Sequence, residues 1–138
     1  MRVINFSHPI TPEQVAQIAD LLNVPADQIQ VVTVPVNLDL EADLAPQITD
    51  LMDRVGLTDQ EWRTTPLIIN LPGLSVAAAM IIAEISGRAG YFPRVVRLTR
   101  EGMGWSVREI ICLQDIRNTA PGAVVTRMRS AEPGTKFQ

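Results

Sequence analysis

The chain has 138 residues, 46% hydrophobic and 20% charged, enough apolar content for one domain with its own core and no need of a disulfide or metal staple. A formal net charge of −3 argues against non-specific binding of duplex nucleic acid, and a single cysteine, Cys112, excludes an internal disulfide and a thiolate metal cluster. The longest apolar run, Val76 to Ala83, is far below the ~20 residues that cross a bilayer, and no basic-then-apolar leader opens the chain, so a cytoplasmic protein without a membrane partner is expected.

Taken from its start, the chain reads as alternating strands and helices. Arg2 to Phe6 is a first strand, ended by Ser7-His8-Pro9. Thr11 then caps a helix, with Pro12 at its first position and Gln14 three residues after the cap. Val15, Ile18, Ala19 and Leu22 share one face of it. QIQVVTVPV (28–36) is a second strand, with Pro35 near its end, where a lost ladder donor is tolerable. A second helix is expected over Asp43 to Val55, stopped by Gly56, and Thr58 with Glu61 makes another capping box before a short turn carrying Trp62.

Leu67 to Asn70 is a third strand, followed through Leu71-Pro72-Gly73-Leu74 by a helix capped by Ser75 and running to about Gly87, where Gly87 and Gly90 break it. RVVRLTR (94–100) and WSVREIICL (105–113) then form a hairpin around residues 101–104. From Ala120 onward Pro, Gly, Ser and Thr dominate, which divides the chain into a domain at 1–119 and a tail at 120–138, mobile or ordered only against a partner. The fold class expected is α/β, a mostly parallel sheet flanked by helices with a C-terminal β-hairpin. The helix from Val76 to Ala83 is apolar all round. One face packs on the sheet, and the other has the C-terminal segment or a homodimer partner open to it; Ala77, Ala78, Ala79 and Ala83 favour the dimer.

Charge is unevenly spread. Residues 1–61 hold ten acids against Arg2 and Arg54, whereas residues 62–138 hold five acids against ten basic residues, all arginine except Lys136. Planar guanidinium groups suit phosphate or carboxylate recognition, and salt bridges to the acidic half are equally open to them. In open α/β sheets a ligand sits beyond the carboxyl ends of the strands where strand order reverses, here expected between the first and third strands. The candidate site is therefore Ser7, His8, Pro9 and Thr11 from one loop and Asn70, Pro72, Gly73, Leu74 and Ser75 from the other, both leading into helix N-termini that attract anions. Neither loop carries GxxxxGK[ST] or GxGxxG, which removes ordinary NTPase and dinucleotide readings.

His8, the only histidine, is the one candidate acid or base, with a loop histidine bonded to backbone as its alternative. No acidic cluster accompanies it, so no metal or other cofactor is expected. Arg88, Tyr91 and Phe92 have planar groups that stack on bases, but they follow a helix and belong at the opposite end of the sheet, reaching a ligand only across a subunit boundary. Trp62 and Trp105 are read as core or interface residues.

Together NFSHPITPEQ (5–14), EWRTTPLIINLPGL (61–74), AEISGRAGYFPRVVRL (83–98) and EIICLQ (109–114) resemble the small single-domain proteins encoded beside type III CRISPR interference systems, in the group that contains CRISPR-associated Rossmann folds and ring nucleases. The resemblance covers roughly residues 2–117. It implies a Rossmann-like homodimer, with further assembly open, whose strand-end loops bind a cyclic oligoadenylate messenger, cyclic tetra-adenylate above all. Such a protein lowers the messenger by sequestration, as a sponge, or by slow metal-independent cleavage, with His8 as the catalytic candidate. The family pattern has His where this chain has Ser86, and Pro where it has Leu71. A dimeric protein-interaction module with no nucleotide is the alternative.

Overall fold

A computed structural model describes residues 1–122. Strands β1 (Arg2–Asn5), β2 (Gln30–Thr33), β3 (Leu67–Asn70), β4 (Arg94–Glu101) and β5 (Gly104–Cys112) form one sheet in the order β2-β1-β3-β4-β5. The first four run parallel and β5 returns antiparallel beside β4. This is the expected α/β class, Rossmann-like, with its C-terminal hairpin. The hairpin turns in two residues, Gly102 and Met103, and Gly102 has the positive φ of 61° that such a tight connection demands.

Among the described residues five α-helices accompany the sheet: α1 (Pro12–Leu22), α2 (Leu44–Asp53), α3 (Asp59–Thr64), α4 (Ser75–Ala89) and α5 (Leu113–Thr119). Capping boxes open α1 at Thr11 and Gln14, and α3 at Thr58 and Glu61. Three local expectations need correction. Ser75 does not cap α4; the cap position belongs to Leu74, which makes no side-chain bond, and Ser75 is the first helical residue. Gly87 lies inside α4, which ends only at Gly90, where φ is 84° and the N–H reaches the Ser86 carbonyl at 2.9 Å. The strand read as 28–36 is four residues long, preceded by a 3₁₀ turn at Ala26–Gln28. α5 was not anticipated, and the tail read from Ala120 lies outside the described residues from position 123 on.

Chain direction decides which helix covers which face. Passing from β1 to β2 steps one way along the sheet, while β2 to β3 and β3 to β4 step the other way. With right-handed crossovers α1 must therefore lie on one face and α2, α3 and α4 on the other. Two apolar clusters follow. Val3 and Ile68 meet Ile18 and Ala19 of α1, whereas Ile4, Phe6, Ile69 and Val95 meet Ile48, Leu51, Met52, Trp62, Ala77, Ile81 and Ile85. Each large aliphatic side chain buried this way is worth about 1.5–3 kcal/mol.

The two faces are unequally covered. Five strands about 4.8 Å apart present roughly 20 Å of width, and one helix about 10 Å across covers about half of it. Gln14 and Gln17 of α1 reach over to the hairpin: Gln14 Nε2 donates to the Trp105 carbonyl at 3.0 Å, and Val107 N donates to Gln17 Oε1 at 2.7 Å. A hollow with an apolar floor is left beside α1, above β4.

On the opposite face α4 buries Ala77, Ile81, Ile85 and Ala89, one residue per turn, and exposes Val76, Ala79, Ala83 and Gly87 in a single stripe. Ala77 is thus core, not part of an outward surface. The C-terminal end of α4 is fastened by Arg88, which bonds Glu84 at 2.9 Å and Asp53 at 3.0 Å and lies 5.8 Å from the Trp62 ring centre. Burial pulls the Glu84 carboxyl upward, but the Thr49 hydroxyl and Arg88 outweigh it and hold it below the ordinary carboxylate value. Among the described residues no helix is long and apolar enough to cross a membrane.

Candidate binding site at the carboxyl ends of the strands

β1 and β3 lie side by side in register, with Asn5 opposite Asn70. Strand order reverses between them, since β2 is reached on one side of β1 and β3 on the other. β3, and β1 after its opening Arg2, are apolar until their last residue, and that residue is asparagine.

Asn5 is fully buried and every polar atom of its side chain is engaged. Its Nδ2 donates to the His8 carbonyl at 2.9 Å and to Thr33 Oγ1 at 3.4 Å, and its Oδ1 accepts from Ser7 N at 3.0 Å and from Asn70 Nδ2 at 2.9 Å. One side chain thereby ties the ends of β2, β1 and β3 together and fixes the Ser7-His8 turn. Asn70 spends one N–H on this bond. Asn70 is also one of the residues lining the hollow beside α1.

That hollow, about 850 Å³, is bounded by Ser7, His8, Pro9 and Thr11 on one side and by Asn70, Leu71 and Gly73 on the other. Val96 and Leu98 line its floor, and Gln14, Arg97 and Trp105 contribute to its wall. A shallower hollow of about 430 Å³, bordered by Leu38, Leu40, Pro72 and Leu74, shares Ser7, His8 and Gly73 with it. Those three residues form a ridge between the two. The loops expected to stand together do so, and Ser75 begins α4 directly behind them.

The two loops differ in what they offer. In the first, Gln14 N donates to Thr11 Oγ1 at 3.2 Å and Thr11 N donates to Gln14 Oε1 at 3.0 Å; Pro12 has no N–H, and Glu13 adds negative charge. The N-terminus of α1 is therefore largely satisfied from within, and Ser7 N is held by Asn5. In the third loop no side chain among the described residues caps α4, and its first turn has no acidic residue. Among the described residues the N–H groups of the exposed Ser75 and Val76 have no partner, and the positive end of a 15-residue helix stands beside them, while Ala77 is buried. Gly73 has no positive φ, and a Cβ built on it meets nothing within 4 Å, so neither backbone conformation nor packing inside the chain requires glycine there.

His8 is held by its backbone carbonyl, and its imidazole is exposed on the ridge. Arg97 lines the hollow while paired with Glu109 at 2.7 Å. Tyr91 and Phe92 border a separate cavity of about 360 Å³ with Met1, Leu67 and Arg94, at the amino ends of the strands. They stand away from the two loops, as their position after α4 implied, and Arg88 is committed to Glu84 and Asp53.

Sequence reasoning missed Asn5, Gln14 and Trp105. For Asn5 a signal existed, since VIN and IIN end two apolar strands alike. Of the two tryptophans expected in the core or an interface, Trp62 is core, while Trp105 is 53% exposed, which excludes the core and leaves the interface open, with its ring 5.5 Å from the Arg100 guanidinium. No family model, curated protein or solved structure matches the chain.

Proposed function

We propose that the chain is a cytoplasmic homodimer that binds a cyclic oligoadenylate, cyclic tetra-adenylate above all, and lowers its free level, chiefly by sequestration. The observation that carries the reading is the uncapped N-terminus of α4, open beside Asn70 and Gly73 at the point where strand order reverses. A phosphate oxygen is the natural occupant of a helix N-terminus, where free N–H groups and the helix dipole act together. A mixed wall of apolar and amide groups suits the nucleoside attached to it.

A ring of repeated phosphates and bases has rotational symmetry, so two copies of one site about a two-fold axis grip equivalent halves. The outward stripe of Val76, Ala79, Ala83 and Gly87 supports such a pairing, because small residues let two helices approach closely. Cleavage, where it occurs, needs only alignment: a ribose 2′-hydroxyl attacks the adjacent phosphorus, the bond to the 5′-oxygen breaks, and open N–H groups stabilise the charge that develops. In this reading His8 gives the leaving oxygen its proton. Sequestration is preferred because His8 is exposed and acid–base side chains are scarce at the two loops, Glu13 being the one carboxylate along the hollow.

Labelled cyclic tetra-adenylate incubated with excess protein, then denatured and separated, tests both outcomes. Intact ring from a tight complex is the expected result, and linear fragments mean a ring nuclease. A second reading, a protein-interaction module, draws on Leu40 and Leu74, both exposed at the smaller hollow, and on the exposed Val76 of α4. No binding of any ring size in a gel shift would favour it.

A further inference from the structure

Of the two tryptophans one is buried and one is displayed. Trp62 is 1% exposed beneath Arg88, whereas Trp105 is 53% exposed at the start of β5 and lines the large hollow beside α1. The placement of Trp105 is over-determined. Trp105 pairs across the hairpin with Arg100, whose guanidinium lies over the ring, and its carbonyl is held by the buried Gln14 of α1. Gln17 fixes Val107 two residues on.

We propose that Trp105 is a stacking platform for the planar base of a nucleotide, with Arg100 backing the ring and the adjoining ridge receiving the phosphate. This rests on the binding site proposed above and names the part of the ligand it reads. Three observations carry it together. The indole borders the same hollow as Asn70 and Gly73, so base and phosphate are reached within one site. The floor beside it is Val96 and Leu98, which favours the edge of an aromatic ring over a second phosphate. The backbone of the platform is fixed before any ligand arrives, so little ordering entropy opposes stacking. Base stacking on an aromatic residue tolerates any base and is reinforced by a neighbouring guanidinium. A lone aromatic in this position therefore adds affinity without restricting ring sequence.

The test uses intrinsic fluorescence, because Trp62 is shielded and a bound base quenches the exposed indole. Adenosine 5′-monophosphate should quench the wild-type protein saturably, ribose 5-phosphate should not, and Trp105→Phe, which keeps an aromatic plane and the fold, should lose the signal. Equal quenching by the two probes, no quenching by either, or quenching that persists in Trp105→Phe would overturn the platform. A separate gel shift with cyclic tetra-adenylate addresses the reading on which it rests. Base-dependent quenching without a shifted ring would leave the platform standing and remove the cyclic ligand; a shifted ring without base-dependent quenching would do the reverse.

Discussion

The turn that enters α1 and the turn that enters α4 occupy equivalent places, each at the carboxyl end of a central strand, yet they are finished in opposite ways. At α1 the chain satisfies itself: Thr11 and Gln14 exchange hydrogen bonds, Pro12 contributes no donor, and Glu13 offsets the helix dipole. At α4 the chain leaves its first-turn donors without a cap or an acid. A helix end without a cap gives up about 1 kcal/mol that a serine or aspartate would supply. That difference is the reason for proposing the anion site at the open turn and reading the closed one as scaffold.

The largest expected effect comes from the residue that joins the two turns. Asn5→Ala would strand the Ser7 N–H, the His8 carbonyl and the Asn70 amide, and should cost about 2–3 kcal/mol of stability in urea unfolding. A cost within error would mean that the turns are not held through Asn5. Next come substitutions at the open turn. Gly73→Asp should weaken cyclic tetra-adenylate binding by roughly tenfold or more while leaving the unfolding midpoint nearly unchanged, because space there is open and φ is unrestricted. Gly73→Ala should be neutral or slightly stabilising, by up to about 1 kcal/mol, for the same reason.

Swapping the finish of the two turns sharpens the contrast further. Thr11→Ala should cost about 1 kcal/mol of stability and little affinity, whereas Leu74→Ser should add a few tenths to about 1 kcal/mol and reduce binding by competing for the same N–H groups. Equal effects on binding from both variants would erase the distinction. The smallest effect concerns the far end of α4. The folded pKa of Glu84 lies below its ordinary 4.5, so its contribution is present above that pH and is lost as pH falls through the folded value. Glu84→Gln should therefore be modestly less stable than wild type at pH 7 and equal to it in acid, measured as paired thermal melts.

Much of the scaffold was legible because its signals are short-range. Thr11 with Gln14 and Thr58 with Glu61 each write a helix start within four residues, and Leu67 to Asn70 is a β-branched run bounded by proline. The start of α4 was misplaced by one position because Leu74 and Ser75 are adjacent, and serine is the usual cap; only the backbone tells which residue enters the helix. α5 follows β5 without a break and begins after Cys112, which makes no cap bond, so nothing in LQDIRNT announces it. Within the candidate site the loops could be read from the order of strands and helices. The Asn5–Asn70 contact spans 65 residues, and the exposure of Trp105 depends on how little of one sheet face α1 covers. The like endings VIN and IIN mark the two asparagines, but no local pattern encodes their contact or the exposure of Trp105.

The central claim is that the open N-terminus of α4 receives the ligand. Backbone amide chemical shifts of isotope-labelled protein, followed as cyclic tetra-adenylate is added, test it most directly. The account predicts that the largest changes fall on Gly73 to Ala77, with smaller ones at Glu13 and Gln14. Perturbations centred on Tyr91 and Phe92 at the other end of the sheet, or none at saturating ring, would contradict it.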